Sequence, residues 1–114
     1  MIKDSFLQLN FQISDVNNLA IELWRLEKKI KKIELSKDIA SSVSNSIEKI
    51  KSILTKNQIE VVDFTGLSFN EGLNVDVLSV IDERKHKAFI SETIEPMIKY
   101  DGKIVKRAKV IVTK

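Results

Sequence analysis

The sequence predicts an α+β fold: a long N-terminal helix and a second helix that form a dimeric coiled coil or four-helix bundle, then a small all-β C-terminal domain. Three observations predict it. An apolar stripe alternating in steps of three and four runs through the first third, and no glycine or proline interrupts residues 2–65. From Gln58 the hydrophobic period shortens to two, the repeat of a half-buried strand. Asp101-Gly102, set between two runs rich in β-branched residues, is the strongest short hairpin signal in the chain. The expected boundary divides a helical dimerisation region, 1–57, from a small β-domain, 58–114.

In the first helix Phe6, Leu9, Ile13, Val16, Ala20 and Leu23 keep the alternating spacing, and Ile2 extends it backward. Leu19, Leu23, Leu26, Ile30 and Ile33 form a second series on the neighbouring face. Asp4 or Ser5 can cap the start. A helix over about residues 5–34 would be roughly 45 Å long, with too little protein of its own to cover a narrow stripe. Such a stripe is the coiled-coil pattern, and its simplest partner is the same helix of another copy. Phe6, Leu9, Ile13, Val16, Leu23 and Ile30 are therefore the expected dimerisation residues of a homodimer. Phe6, Phe11 and Trp24 are large for coiled-coil positions, which leaves a looser bundle open.

Ser36 or Asp38 is the expected N-cap of the second helix, in which Ile39, Val43, Ile47, Ile50 and Leu54 recur every three or four residues up to Lys56-Asn57. Serines at 41, 42, 44, 46 and 52 lower its intrinsic propensity, so it depends on packing. An antiparallel hairpin on the first helix is the natural arrangement, and one bent helix through Ser36 is the alternative.

Beyond Gln58, Ile59–Phe64 reads as a strand ended by Thr65-Gly66, and Asn70-Glu71-Gly72 as a turn. Leu73–Ile81 follows as a strand, Asp82–Lys87 as a charged loop, and Ala88–Tyr100 as a strand that Pro96 assigns to an edge or a bulge. Lys103–Val112 returns alongside it, with Ile104, Ala108, Val110 and Val112 on one face and Val105, Arg107, Lys109 and Ile111 on the other.

Composition narrows the function. With no cysteine in 114 residues, thiolate catalysis, disulfides and thiolate-bound metal are excluded. One histidine, His86, argues against a Ser-His-Asp triad and lies in the charged loop, where it reads as a surface residue. No run of eighteen apolar residues occurs, so no membrane helix is expected, and the first residues lack the apolar core of a signal peptide. The expectation is a soluble cytoplasmic protein that binds and does not catalyse, with no cofactor and no metal. Asp82-Glu83 and Glu92/Glu95 are acidic pairs with no sign of the burial that acid–base work needs. The three glycines are scattered over separate turns and form no phosphate loop. Between Lys99 and Lys114 six basic groups face a single Asp101, a patch suited to an acidic protein surface or a phosphate backbone, or simply a solvated strand face. Of these readings nucleic-acid binding through residues 99–109 has the weakest warrant, since the stretch offers a single aromatic, Tyr100, for stacking.

At the C-terminal hairpin the pattern becomes specific. Residues 90–112, ISETIEPMIKYDGKIVKRAKVIV, resemble the last strands of the GrpE family, the nucleotide exchange factors of DnaK-type heat-shock chaperones. Pro96 matches the proline of that family's first C-terminal motif, and Gly102–Val110 matches its Gly-Arg-x-x-Arg-Pro-Ala-x-Val motif over the whole length. Gln58–Val62, Phe69–Asn74 and the run to Val80 are similar as well, so the likeness covers about residues 58–112. Lys103 and Lys106 replace the two motif arginines, and Arg107 replaces the proline. Met97 and Ile98 stand for the glycine and tyrosine of the first motif, Asn70-Glu71 for an Asp-Pro, and Asn74 for a histidine.

The resemblance implies a divergent, shortened co-chaperone of the stress response, a homodimer that sets one β-domain on the nucleotide-binding domain of a DnaK-type chaperone. Its contacts would favour an open cleft from which ADP leaves, a population shift without catalysis. By match to the motif, Lys103 would be the principal polar contact, with Ile94 and Val112 as apolar neighbours and Lys106 and Arg107 adding charge at the rim. Ile94 and Val112 could equally fill the core of the β-domain. The alternative is a dimeric adaptor or scaffold of the same fold that binds another protein without exchanging nucleotide.

Overall fold

The computed structural model describes residues 12–114. Two helices, α1 (Ile13–Lys31) and α2 (Lys37–Lys56), precede six strands: β1 (Ile59–Val62), β2 (Val75–Ile81), β3 (Phe89–Glu95), β4 (Met97–Tyr100), β5 (Lys103–Lys106) and β6 (Ala108–Thr113). The expected cap at Asp4 or Ser5, together with Phe6 and Leu9, lies outside the described residues.

Of the two arrangements open at Ser36, the chain takes two separate helices. Helix α1 ends with Lys28, Lys29 and Lys31 in its last turn, where cations complement the exposed carbonyls. Ser36 caps α2, its hydroxyl accepting from the Ile39 amide at 3.4 Å, with Asp38 in the first turn. Helix α2 folds back along α1, bringing Lys51 Nζ within 3.3 Å of Glu27 Oε2. Gln58 then leaves the helix at φ 62°, a left-handed turn that usually falls to glycine, and its carbonyl accepts from the Asp101 amide at 2.9 Å.

The C-terminal hairpin is one long ribbon bent in the middle. Asp101 (φ 51°) and Gly102 (φ 78°) both take positive φ, as the tight primed turn between β4 and β5 requires. The predicted single strands on each arm are each divided in two. Pro96 separates β3 from β4, and Arg107 separates β5 from β6, so both arms leave one sheet and enter another at the same level. Sheet A has the order β1-β4-β5 and sheet B the order β2-β6-β3. Strand β1 joins antiparallel to β4, whereas β2 joins parallel to β6. Pro96, which has no amide to give a ladder, is buried at this bend.

The bend also resets the predicted alternation. Ala108, Val110 and Val112 face the core as expected, but Ile104 is 39% exposed and Val105 packs toward the helices. Two hydrophobic cores result. One holds Phe64, Val75, Ile90, Met97, Ala108, Val110 and Val112. The other unites Ala20, Ile21 and Leu23 of α1, Ile47 and Leu54 of α2, and Ile98 of β4, with Ile59, Val61 and Val105 beside them. Neighbouring residues Met97 and Ile98 thus belong to different cores, because successive side chains of a strand point to opposite faces. Sheet A is the layer shared by the helices and sheet B.

Candidate functional site

Because Asp101-Gly102 fixes the turn, Lys103 begins β5 at the tip of the ribbon, paired with Tyr100 across it. Lys103 is exposed, and among the described residues its ammonium enters no ion pair. Tyr100, 50% exposed, and Ile104 flank it as apolar surface.

The other residues expected at the site sit further down the ribbon. Ile94 is half-buried in β3. Val112 is 1% exposed within the core of the two sheets, so it offers no surface, and of the two roles open to it the core role describes its position. Lys106 donates to Glu95 Oε1 at 2.9 Å, with both side chains only 20% exposed. Arg107 points away toward β2, where its Nε lies 2.7 Å from Asp76 Oδ1 and its other nitrogens reach Asn74 and the Val75 carbonyl. The rim charges expected of Lys106 and Arg107 are therefore satisfied within the chain.

Two carboxylates organise this region: Glu95, which the sequence offered only as half of an acidic pair, and Asp63, which it did not mark out. Glu95, the last residue of β3, takes Lys106 and Lys109 (3.3 Å) on Oε1 and Arg25 of α1 (3.3 Å) on Oε2. The hydrogen bond from Lys106, opposed by burial and aided by Lys109, holds its carboxyl below the ordinary glutamate range. Asp63, just past β1, accepts from the Trp24 indole at 3.0 Å, from the Thr65 amide at 2.9 Å and pairs with Lys28 at 3.1 Å. Burial pushes the Asp63 carboxyl up, but the bonds from Thr65, Lys28 and Thr93 outweigh it and hold the group well below the usual carboxylate range. The Lys28 ammonium also lies 4.3 Å from the centre of the Trp24 ring, a cation–π contact. Both carboxylates thus bind α1 to the β-region, one on each side of the apolar seam. The signal for Glu95 lay in the register: counted back from Asp101-Gly102, it falls opposite Ala108 and Lys109.

The dimerisation residues divide. Ile13 is 59% exposed and Val16 half-buried, whereas Leu23 is buried at 8% and Ile30 packs beside the same helical core. Leu19 and Leu26 on α1 and Ile33 just past its end, with Ile39, Ile50 and Ile53 on α2, remain exposed. A groove of about 650 Å³ opens between the helices and β1, lined by Leu23, Trp24, Lys51, Leu54 and Asp101 among others. Among the described residues, no group of three or more His, Asp or Glu side chains could hold a metal. No helix there is long and apolar enough to cross a membrane.

The GrpE family model matches residues 3–114, a span that takes in the helices, the ribbon and both sheets. The chain belongs to the GrpE family. The match extends the likeness beyond the strands and hairpin, since it takes in the helical half as well. Comparison with curated proteins gives no match. GrpE-family proteins are co-chaperones that act on nucleotide exchange and are not catalysts.

Proposed function

We propose that the chain is a nucleotide exchange factor: it docks its β-domain, 58–114, on the nucleotide-binding domain of a DnaK-type chaperone and promotes ADP release. The observation that carries this reading is the family match over residues 3–114, combined with an exposed, unpaired Lys103 at the matched motif position. Lys103 meets an acidic or carbonyl-rich surface, with Tyr100 as its exposed neighbour across the ribbon. The region 1–57 holds two copies together. The exposed rows Leu19, Leu26 and Ile33 and Ile39, Ile50 and Ile53 supply the apolar faces that a four-helix bundle in the cytoplasm would cover. ADP leaves because docking favours the chaperone's open state, so the chain works by differential affinity alone.

Release of a fluorescent ADP analogue from the DnaK-type chaperones of the same organism tests this. Accelerated release that depends on concentration supports the reading, and Lys103→Ala should weaken it without moving the melting transition. No acceleration and no binding with any of those chaperones would overturn it. One observation favours the adaptor reading as the second choice. Both motif arginines are lysines, which lack the bidentate fork, and Lys106 is occupied by Glu95.

A further inference from the structure

Six basic residues between Lys99 and Lys114 make the C-terminal run resemble a polyanion-binding stripe in sequence. The fold withdraws half of them. Lys106 and Lys109 converge on one oxygen of Glu95 at 2.9 and 3.3 Å, while the other oxygen holds Arg25 at 3.3 Å. Arg107 is taken separately by Asp76. Among the described residues Lys99, Lys103 and Lys114 enter no ion pair, and Lys114 lies at the far end of sheet B, its backbone bonded to Ile81 and Glu83. Lys103 stands exposed at the ribbon tip opposite Tyr100, whereas Lys99 is half-buried and pairs with Ile104 on the other face of the ribbon. A carboxylate at the bend is well placed for this masking, because there the two arms change sheets and cations from β5, β6 and α1 come within reach of a single side chain.

We propose that Glu95 is a specificity-determining residue: by pairing with Lys106 and Lys109 and joining them to Arg25, it keeps the C-terminal basic run from binding polyanions in general and leaves Lys103 as the cation a partner meets at the ribbon tip. A phosphate backbone is held by the number of cations it meets, whereas a protein surface with one well-placed acidic group needs a single directed contact. Glu95 thereby selects against the first kind of partner. The inference concerns what the surface rejects and holds whichever protein it accepts.

Binding of the full chain to a fluorescein-labelled short duplex DNA, used as a generic polyanion and followed by anisotropy over a range of salt, tests the masking. Glu95→Gln should bind more tightly and steepen the log–log salt dependence by about 1.8, or about 0.9 for each lysine released. Arg25→Gln breaks the contact of Glu95 with α1, together with the Arg25–Glu22 pair, but leaves both lysines on Glu95 and should keep the slope at the wild-type value. Should Glu95→Gln fail to fold by circular dichroism, the lysines decide. With Glu95 in place, Lys106→Gln and Lys109→Gln should leave the slope unchanged, whereas Lys103→Gln should reduce it by about 0.9. A folded Glu95→Gln with the wild-type slope overturns the proposal, and so does a Lys106→Gln or Lys109→Gln chain that loses as much as Lys103→Gln.

Discussion

Replacing Asp63 with alanine tests how the helices are held on the β-region. The carboxylate accepts from the Trp24 indole at 3.0 Å and the Thr65 amide at 2.9 Å, and pairs with Lys28 at 3.1 Å. Hydrogen bonds to a charged acceptor contribute about 1.5–3 kcal/mol when buried. The Asp63 side chain is 32% exposed, so solvent screens each contact, and the Lys28 pair has the modest worth of a surface ion pair. Together they contribute about 2 kcal/mol, which in a domain of this size lowers the melting temperature by roughly 8 °C. Trp24 is the only tryptophan, so its fluorescence reports the loss of the contact directly. Parallel melts at one protein concentration, followed by that fluorescence and by far-ultraviolet circular dichroism, read both quantities. The acid dependence has a definite sign. Because the folded carboxyl titrates below its unfolded value, the stabilisation is fully present above about pH 4 and fades as pH falls through the lower folded value. Asp63→Asn should remove that portion of the acid sensitivity. An Asp63→Ala chain that melts within 2 °C of the wild type, with unchanged Trp24 emission, would refute the clamp (the 2 °C margin being about 0.5 kcal/mol).

Three further outcomes follow from the same structure. Gln58→Gly should raise stability by about 0.5–1 kcal/mol in urea unfolding, since glycine relieves the positive φ at the end of α2. Ile98→Ala, at a side chain 1% exposed in the helical core, should cost about 3 kcal/mol and lower the melting temperature by roughly 12 °C. Leu26→Lys, on the exposed row of α1, should leave the fold intact but give monomers in light scattering. The corresponding change at Leu23 would bury a lysine in the chain's own core and report unfolding instead.

What was legible in the sequence was local. Ser36 caps α2 through a bond three residues away, and Asp101-Gly102 dictates its turn through φ alone, so both could be read from short stretches. The period change near Gln58 likewise reflects the geometry of single elements. The bend at Pro96 and Arg107 could not be read the same way, because it exists only when β1 adds to one arm and β2 to the other. The heptad series show that α1 has apolar faces, but the choice of Ala20, Ile21 and Leu23 as the inward set is made by α2 and by Ile98, far along the chain. Glu95 illustrates the same limit at the candidate site. Its partners come from α1, β5 and β6, and bulges in β3 and β5 adjust the register that brings them together.

The order of strands within sheet B has a consequence for how the chain is made. Its central strand, β6, is the last of the six to leave the ribosome, yet both β2 and β3 pair with it and not with each other. Until Ala108–Thr113 emerges, β2 is a nascent segment with no strand to join, and the backbone amides and carbonyls of Val75–Ile81 have no ladder to enter. Synthesis therefore passes through an interval in which the helices can already form while sheet B waits for its central strand, and the arrival of β6 is the event that shuts the sheet.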